Sequence, residues 1–277
     1  MSSMLTITLP AVLTGFTVVW AIAHVTRRMS VVDIFWGPGF AAIACLSLQS
    51  GTTAAATDFS PTGRTALLLL LICLWATRLC AHLFVRWVRE GREDRRYAAM
   101  RERHARGFLW KSLLLIFWLQ AIVMWFVSLP LQFACQTQRD LQPEGIGSTA
   151  LLLVGLLCWM IGMVFETAGD WQLARFMHNP SNSGKVLKTG VWRWTRHPNY
   201  FGDSMVWWGF WLVAAACGSP LWTIVSPVLM TFLLIRVSGV GLLEKDIGNR
   251  RPEYADYIRT TSAFLPWPPR AERRSEI

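Results

Sequence analysis

Polar residues concentrate in residues 170–203, between two apolar runs of the chain. Five of them stand close together at the end of this segment: Arg196, His197, Asn199, Tyr200 and Asp203. Polar groups at membrane depth are costly unless they have partners, so a cluster of this density indicates a ligand-binding or catalytic site. The proline and glycine residues of the segment predict that it is built from turns and short helices.

Charged residues also occur inside the apolar runs or at their ends. They are Asp33, Arg78, Glu166, Asp170, Asp203, Arg236 and Glu244. Each of them alone is compatible with an interhelical ion pair. Together they converge on one end of the predicted helices, which predicts a polar cavity that opens toward the cytoplasm.

An excess of arginine near that end indicates an anionic ligand, because guanidinium groups bind phosphate oxygens through paired hydrogen bonds. The candidates are Arg78, Arg86, Arg89, Arg92, Arg95, Arg96, Arg193, Arg196 and Arg236. The sequence has no Walker loop and no GxGxxG turn after a strand, which excludes a classical dinucleotide-binding fold. The six cysteines are scattered and form no CxxC pair, so no metal site is predicted.

Apolar runs of membrane-spanning length must position these residues. Hydrophobic side chains make up 53% of the chain and charged ones only 16%, with a mean hydropathy of +0.35. Charged residues make up about 25% of a typical soluble domain, so this composition indicates an all-α polytopic membrane protein. We predict seven transmembrane helices, at about residues 5–26, 31–49, 65–85, 110–133, 149–169, 203–219 and 221–243. The first is expected to be a retained helix and not a cleaved signal peptide.

The basic residues predict the orientation of these helices. Of the 27 lysines and arginines, 23 follow the first, third, fifth and seventh runs, and the opposite loops hold only Arg64 and Arg139. This asymmetry predicts an N-terminus outside and a C-terminus in the cytoplasm. Most of these basic residues are expected to set the topology and to contact anionic lipid head groups, and no nucleic-acid partner is expected.

No internal repeat is visible, and the predicted organisation is one transmembrane domain. We place this domain at residues 1–265, with a cofactor-binding half at about 149–265. Residues 266–277 begin with a proline-rich stretch and end in charged residues. They are expected to form a solvated or disordered cytoplasmic tail.

Several motifs resemble the steroid 5-alpha-reductase family, especially its bacterial integral-membrane branch. They are Asp33–Gly37, Asp170–Gln172, Thr189–Trp192, Arg196–Asp203 and a C-terminal group from Ser238 to Pro266. The resemblance extends from the second predicted helix to the tail, in order as well as in content. It implies a monomeric seven-helix reductase of the bacterial inner membrane. It also implies that NADPH reduces the C4–C5 double bond of a 3-oxo-Δ4-steroid or a similar lipophilic enone, with hydride added to the β-carbon and a proton to the α-carbon.

The same resemblance implies a set of cofactor-binding residues. Asn199, Asp203 and Asp170 match polar residues beside the cofactor, and Arg78 and Arg236 match arginines that line its pocket. Further positions of the same pocket are Arg89, Arg92, Lys185, Trp192, Arg196, His197, Tyr200 and Glu244.

The catalytic residues depart from the family pattern. Mammalian members use a glutamate in helix two and a tyrosine in helix three, whereas this chain has Asp33 in helix two and Trp75 near the tyrosine position. All four tyrosines lie outside the third run. We expect Asp33 to act as carboxyl electrophile or proton relay with help from the indole N–H of Trp36, and Glu166 is the second candidate acid. A helix-capping role for Asp33 is the alternative.

Two other functions remain open from the sequence. The element His197-Pro198-Asn199-Tyr200 also resembles membrane methyltransferases such as the isoprenylcysteine carboxyl methyltransferases, which use S-adenosylmethionine. That cofactor is cationic at sulfur and needs no arginine cage. A non-catalytic scaffold or transporter is the third hypothesis, and the absence of a sequence repeat and the one-sided polar cluster argue against it.

Overall fold

The computed structural model describes residues 2–51, 63–137, 145–237 and 253–270, so Glu244 lies outside the described residues. Within these ranges the chain forms helices and turns and no β-strand, which confirms the all-α prediction. The chain divides into two compact units. The first is Met1–Leu151 with Val213–Ser226, and the second is Leu152–Leu212 with Pro227–Ile277.

Eight α-helices, in chain order, lie wholly within the described residues of the first unit. They are α1 (Ser2–Thr26), α2 (Val31–Ile34), α3 (Trp36–Gly51), α4 (Gly63–Glu90), α5 (Arg95–Arg103), α6 (Phe108–Ser112), α7 (Leu119–Val127) and α8 (Leu129–Gln136). A π-helical segment, Leu113–Trp118, joins α6 to α7, so the fourth predicted run is almost continuous helix. A short 3₁₀ helix, Leu221–Ile224, also belongs to this unit.

The second predicted run is divided at Phe35. This residue ends α2 with φ −84° and ψ −1°, and α3 begins at the next residue. Pro38 explains the division, because it has no N–H to donate to the carbonyl of Ile34. Asp33 therefore lies in the short α2 and not in the 16-residue α3.

Close packing of α3 on α4 fixes the beginning of α3. A Cβ atom at Gly37 would lie 2.5 Å from the carbonyl oxygen of Ala76, so only glycine allows this approach. One turn further, the buried rings of Phe40 and Trp75 have their centroids 5.9 Å apart. These contacts hold Trp36 and the adjoining α2 against α4.

Four helical stretches in the described part of the chain are long and apolar enough to cross a membrane. They are Leu5–Thr26, Gly63–Glu90, Phe108–Val127 and Ile146–His178. Four of the seven predicted runs therefore form helices with the length and apolarity that a crossing requires. The runs at 31–49, 203–219 and 221–243 stay predictions, since α3 is short and the apolar helix Leu221–Val237 is also below spanning length.

In the part of the second unit that the structure describes there are two long helices and two shorter ones. It holds most of α9 (Ile146–His178), of α10 (Pro198–Ala216) and of α11 (Val225–Phe232), and all of α12 (Tyr254–Thr260). Two 3₁₀ turns, Pro180–Asn182 and Gly190–Arg193, lie between α9 and α10. A π-helical segment, Leu233–Val237, follows α11.

Glycines bring the backbones of α9 and α10 into contact. A Cβ atom at Gly202 would lie 2.3 Å from the backbone nitrogen of Glu166, and one at Gly209 would lie 2.7 Å from that of Trp159. A Cβ atom at Gly162 on α9 would in the same way lie 2.5 Å from the backbone nitrogen of Val206. Such small residues let membrane helices approach closely, and here they set the register between the two helices.

The boundaries of the polar segment differ from the predicted ones. Residues 170–178 continue α9 and are not turns, because no proline or glycine interrupts the helix until Asn179-Pro180 ends it. The next long helix begins at Pro198, earlier than the predicted run at 203–219, because proline is favourable in the first turn of a helix. Turns and 3₁₀ helices therefore occupy only residues 179–197.

The first residues of the predicted tail are exposed or half-buried, and backbone hydrogen bonds hold them to earlier parts of the chain. The backbone N–H of Trp267 donates to the carbonyl of Trp194 at 2.9 Å, and that of Arg270 donates to Thr260 at 2.9 Å. Pro268 and Pro269 restrict the backbone to an extended path, and the residues on either side of them, Trp267 and Arg270, make these bonds. Residues 271–277 lie outside the described residues.

Candidate functional site

A carboxyl–phenol pair lies at the centre of the polar cluster in the first unit. The hydroxyl of Tyr97 donates a hydrogen bond to Oδ1 of Asp33 at 2.8 Å. The guanidinium of Arg96 contacts Oδ2 of the same carboxylate at 3.4 Å. The Asp33 side chain remains 30% exposed, so a ligand or solvent can reach it.

Capping of α5 places Tyr97 and Arg96 at this carboxylate. Asp94 is the N-cap residue of α5, and its Oδ1 accepts from the backbone N–H of Arg96 at 2.8 Å. The same carboxylate also accepts from Nε and Nη2 of Arg96 at 3.1 Å each. An N-cap aspartate satisfies helix N–H groups and directs the first turn, which here presents Tyr97 to Asp33.

Glu93 ties the connection before α5 to the connection before α2. Its carboxylate accepts from the backbone N–H groups of Met29 and Ser30, and also from that of Asp94. Because these bonds join segments more than sixty residues apart, they fix α5 beside α2. The pair of Asp33 and Tyr97 is therefore held by backbone contacts as well as by its own hydrogen bond.

The surroundings of Tyr97 keep its hydroxyl protonated. Burial raises the pKa of Tyr97 well above its ordinary value, and the neighbouring charge of Asp33 raises it further. Asp94 shows the opposite balance: burial would raise its pKa, but the hydrogen bonds and charge of Arg96 outweigh this and lower it. At neutral pH the cluster thus combines an ionised Asp94 with a phenol that can donate a proton.

A chain of hydrogen bonds connects Tyr97 to Trp36. The indole N–H of Trp36 donates to Oε1 of Gln120 at 2.7 Å. The Nε2 of Gln120 donates in turn to the Tyr97 hydroxyl at 3.3 Å. The sequence predicted that Trp36 assists Asp33, and the structure connects the two through Gln120 and Tyr97. Sequence analysis missed both of these intermediates.

A small cavity of about 30 Å³ adjoins Asp33. It is lined by Ser30, Asp33, Ile34, Leu83, Arg86, Trp87, Glu90 and Asp94. This volume holds about one water molecule. The hydroxyl of Ser30 and the indole N–H of Trp87 are buried without a hydrogen-bond partner among the described residues, and a water in the cavity would satisfy them.

Five candidate phosphate-binding arginines of the first unit divide into two groups. Arg86 lines the small cavity and lies 3.9 Å from Asp94, so it joins Arg96 at the cluster. Arg78 is half-buried on α4, whereas Arg89, at the end of α4, and Arg92, just after it, are exposed. The cavity beside Asp33 is lined by none of these last three.

The second unit contains a cavity of about 140 Å³ between α9, the 3₁₀ turn and α12. Five residues that were predicted to bind the cofactor line it: Trp192, Arg196, His197, Asn199 and Tyr200. Tyr254 and Tyr257 of α12 complete its aromatic wall, together with apolar groups. Such a cavity suits a flat aromatic ring with a few polar substituents.

Hydrogen bonds between α9 and the beginning of α10 shape this cavity. Nδ2 of Asn199 donates to Oδ1 of Asp170 at 3.2 Å, so the two predicted residues lie together. The indole N–H of Trp192 donates to the carbonyl of Gly169 at 3.1 Å. The ring of His197 stacks on that of Tyr200 with a centroid distance of 5.6 Å and an interplanar angle of 6°.

Arg196 lines the aromatic cavity and also bonds the C-terminal end of α12. Its guanidinium donates to the backbone carbonyls of Ile258 and Thr261, and its backbone N–H donates to Ser262 at 2.8 Å. These bonds satisfy carbonyls at the C-terminal end of α12, where a cation is favourable. Arg196 thus anchors α12, and its contact with a cofactor stays a prediction.

A larger cavity of about 560 Å³ lies beside the aromatic one and shares Phe176 and Leu187 with it. It is lined by Trp171, Gln172, Arg175, Phe176, His178, Asn179, Asn182, Leu187 and Thr189. Arg175 lies over the Trp171 ring, 5.4 Å from its centroid. Sequence analysis did not assign Arg175 or His178 to the site, although their helical spacing from Trp171 places all three on neighbouring positions of α9.

The remaining predicted residues of the second unit lie elsewhere. Glu166 is buried on α9, Asp203 is half-buried on α10, and Lys185 and Arg236 are exposed. None of these four residues is among those that line the two cavities. Among the described residues, no three histidine, cysteine, aspartate or glutamate side chains are placed to hold a metal ion.

Comparison with known proteins gives one match. A family model described as "Protein of unknown function (DUF1295)" matches residues 19–261. No curated protein and no solved structure matches the chain. The match covers both units, including the carboxyl–phenol pair and the two cavities.

Proposed function

From the premise that this chain belongs to the family described as "Protein of unknown function (DUF1295)", we propose that it is an NADPH-dependent reductase of lipophilic enones. The reaction saturates the C4–C5 double bond of a 3-oxo-Δ4-steroid or of a similar conjugated ketone. One observation carries the proposal: Tyr97 donates a hydrogen bond to Asp33 at 2.8 Å. A carboxyl–tyrosine pair is what the resemblance to the steroid 5-alpha-reductase family implies for this chemistry.

An acid of this kind is needed because reduction of an enone uses a proton as well as a hydride. The hydride forms a bond to the β-carbon, negative charge develops on the carbonyl oxygen, and a proton then bonds to the α-carbon. A donor placed at the oxygen stabilises this enolate-like state. Tyr97 keeps its proton at neutral pH and can act as that donor, its O–H turning from Asp33 to the carbonyl oxygen when the enone is bound.

The second unit supports the choice of cofactor. The aromatic cavity around Trp192, His197 and Tyr200 fits a flat heteroaromatic ring, and the larger adjoining cavity has Arg175 and His178 for phosphate groups. Asn199 and Asp170, which are hydrogen-bonded to each other, can bond amide or hydroxyl groups. When bound, NADPH supplies the hydride. The residues of this unit bind and orient it.

We further propose that the chain crosses a bacterial inner membrane seven times as a monomer, with its N-terminus outside. Four helices of sufficient length and apolarity support a membrane location. The 23 basic residues that follow alternate predicted crossings support the orientation. In this arrangement a lipophilic substrate enters from the surrounding lipid.

The proposal is tested by supplying the purified full-length protein with NADPH and a panel of 3-oxo-Δ4-steroids and other enones. We expect nicotinamide oxidation that depends on the enone, and a product two hydrogen atoms heavier. Tyr97→Phe removes only the hydroxyl and should lower turnover by about a hundredfold or more. An enone panel that leaves NADPH unoxidised, or a Tyr97→Phe variant with normal turnover, contradicts the proposal.

A second candidate, an S-adenosylmethionine-dependent methyltransferase, is favoured by one feature of the aromatic cavity. Arg196, the cation that lines it, donates to two backbone carbonyls, and the remaining wall is rich in aromatic rings. Such a wall attracts a sulfonium through cation–π contacts. Transfer of a labelled methyl group to a lipophilic thiol or carboxylate, without NADPH oxidation, would favour this function. Methyl transfer does not explain why Tyr97 donates to Asp33.

A further inference from the structure

Gln120 joins three elements of the first unit at the carboxyl–phenol pair. It lies on α7 and contacts Trp36 of α3 through its carbonyl oxygen and Tyr97 of α5 through its amide nitrogen. Neither the resemblance to a known family nor the sequence motifs assign it a role. Its position, half-buried beside Tyr97, is compatible with action on that hydroxyl.

The direction of each hydrogen bond in this chain is determined from its Trp36 end. An indole N–H can only donate, so the atom of Gln120 that faces Trp36 must be the carbonyl oxygen. The amide nitrogen then faces Tyr97 and donates to its oxygen at 3.3 Å. The single proton of the phenol is therefore left for Asp33, which accepts it at 2.8 Å.

We propose that Gln120 is a positioning residue that holds the oxygen of the Tyr97 phenol in place and that stabilises this oxygen when Tyr97 gives its proton to the carbonyl oxygen of the enone. The catalytic meaning of this inference rests on the proposed enone reduction. An N–H group that donates to the phenol oxygen favours the phenolate, and the anchored amide keeps that oxygen fixed while its O–H turns from Asp33 to the substrate. Gln120 thus acts on the substrate only through Tyr97.

Two substitutions isolate this role. Gln120→Leu removes both bonds of the amide at similar volume. Trp36→Phe keeps an aromatic ring at its position but removes the indole N–H, so the amide of Gln120 can turn its oxygen toward Tyr97. We expect turnover to fall by roughly tenfold or more in Gln120→Leu, with a smaller fall in Trp36→Phe, because a hydrogen bond to a charged oxygen is lost or reversed. KM for the enone should change little in either variant.

A spectroscopic measurement separates positioning from a merely structural role. In the full-length protein with ¹³C-labelled tyrosine in lipid nanodiscs, the ring-carbon resonance of Tyr97 is identified by its loss in Tyr97→Phe, since the chain has only four tyrosines. Loss of the Gln120 bond should shift this resonance and move its titration to higher pH. Gln132→Leu is the matched control, because Gln132 is a buried glutamine on α8 that bonds Thr8 and Ser128.

The outcomes are distinct. A shifted Tyr97 resonance in Gln120→Leu and Trp36→Phe, with an unchanged one in Gln132→Leu, supports the proposal. A Tyr97 resonance and titration unchanged in both site variants overturns it. If Gln120→Leu does not fold, Trp36→Phe decides by the same criterion. If the wild-type protein reduces no enone, the proposed function fails, while the resonance still decides whether Gln120 positions Tyr97.

Discussion

Tyr97 and Asp33 are hydrogen-bonded to each other although 64 positions separate them in the sequence. The tyrosine belongs to α5 and not to α4, the helix that corresponds to the third predicted run. At the position in that run where a tyrosine was expected, Trp75 is fully buried against Phe40. The carboxyl–phenol pair is therefore present, but its phenol comes from the connection that follows the third predicted run.

Asp33→Asn tests whether the charge of this carboxyl contributes to turnover. Asparagine keeps the shape and can accept the Tyr97 hydrogen bond, but it carries no charge for Arg96 and cannot take up a proton. We expect turnover to fall by roughly a hundredfold and NADPH affinity to stay nearly constant. Steady-state kinetics with a separate cofactor-binding titration gives both values. Asp256→Asn is the control, because Asp256 is exposed and pairs only with Arg259 among its described contacts. Normal turnover in Asp33→Asn would remove Asp33 from the mechanism.

The sequence could predict the helical class and much of the second site, because both depend on local patterns. Apolar runs of sufficient length identified the four spanning helices. The clustered motif at residues 196–203 identified four residues that the structure places around one cavity. Gly155, Gly162 and Gly169 recur every seven residues, a signal of close helix packing that would also have brought Asp170 near Asn199.

The first site could not be predicted because it depends on contacts between distant segments. Tyr97 stands in an arginine-rich connection whose charges suggested membrane topology and phosphate binding, but not a catalytic phenol. Its placement requires the capping of α5 by Asp94 and the bonds of Glu93 to Met29 and Ser30. Only the N-cap aspartate before a short helix was visible as a local signal, and it does not indicate which surface the helix faces.

Substitution at the Asn199–Asp170 pair should weaken cofactor binding without unfolding the protein. Asn199→Ala and Asp170→Ala each remove one polar group at the edge of the aromatic cavity. We expect the Kd for NADPH to rise by about tenfold in each variant, the effect of losing a hydrogen bond to a polar ligand. Fluorescence titration measures the Kd, and Asp256→Ala is the matched exposed control. Unchanged affinity in both variants would count against this cavity as the cofactor site.

Arg196→Met should destabilise the protein more than it affects cofactor affinity. Arg196 is buried and bonds the carbonyls of Ile258 and Thr261, which would lose their donor. We expect a loss of about 3 kcal/mol in unfolding free energy. Arg193→Met, at an exposed residue of the 3₁₀ turn that precedes Arg196, should have little effect. If Arg196 instead bound a cofactor phosphate, Arg196→Met would lower the affinity for NADPH and leave the unfolding free energy unchanged. Thermal unfolding distinguishes the two roles.

The docking of α5 should depend on pH through Asp94. The lowered pKa of Asp94 means that its ionised form stabilises the folded state above the ordinary aspartate pKa. This contribution is lost as the pH falls through the folded-state value, in the range below about pH 4. Asp94→Asn keeps an N-cap side chain but removes the charge, so it should cost about 1 kcal/mol at neutral pH. Chemical unfolding at several pH values should show the difference from wild type shrinking in acid. A difference independent of pH would contradict the argument.

Gly202→Ala should separate α9 from α10 and thereby disturb the second site. The added Cβ would lie 2.3 Å from the backbone nitrogen of Glu166, and a backbone atom cannot move aside as the end of a flexible side chain can. We expect a loss of about 3 kcal/mol or more in stability, because overpacking of this kind forces the helices apart. Gly147→Ala is the matched control, since Gly147 also lies on a helix but has nothing within 4 Å of the added atom. That change should be neutral or stabilising by about 1 kcal/mol, the helix preference of alanine over glycine. Equal stability of the two variants in thermal unfolding would show that α9 and α10 do not pack as closely as these glycines require.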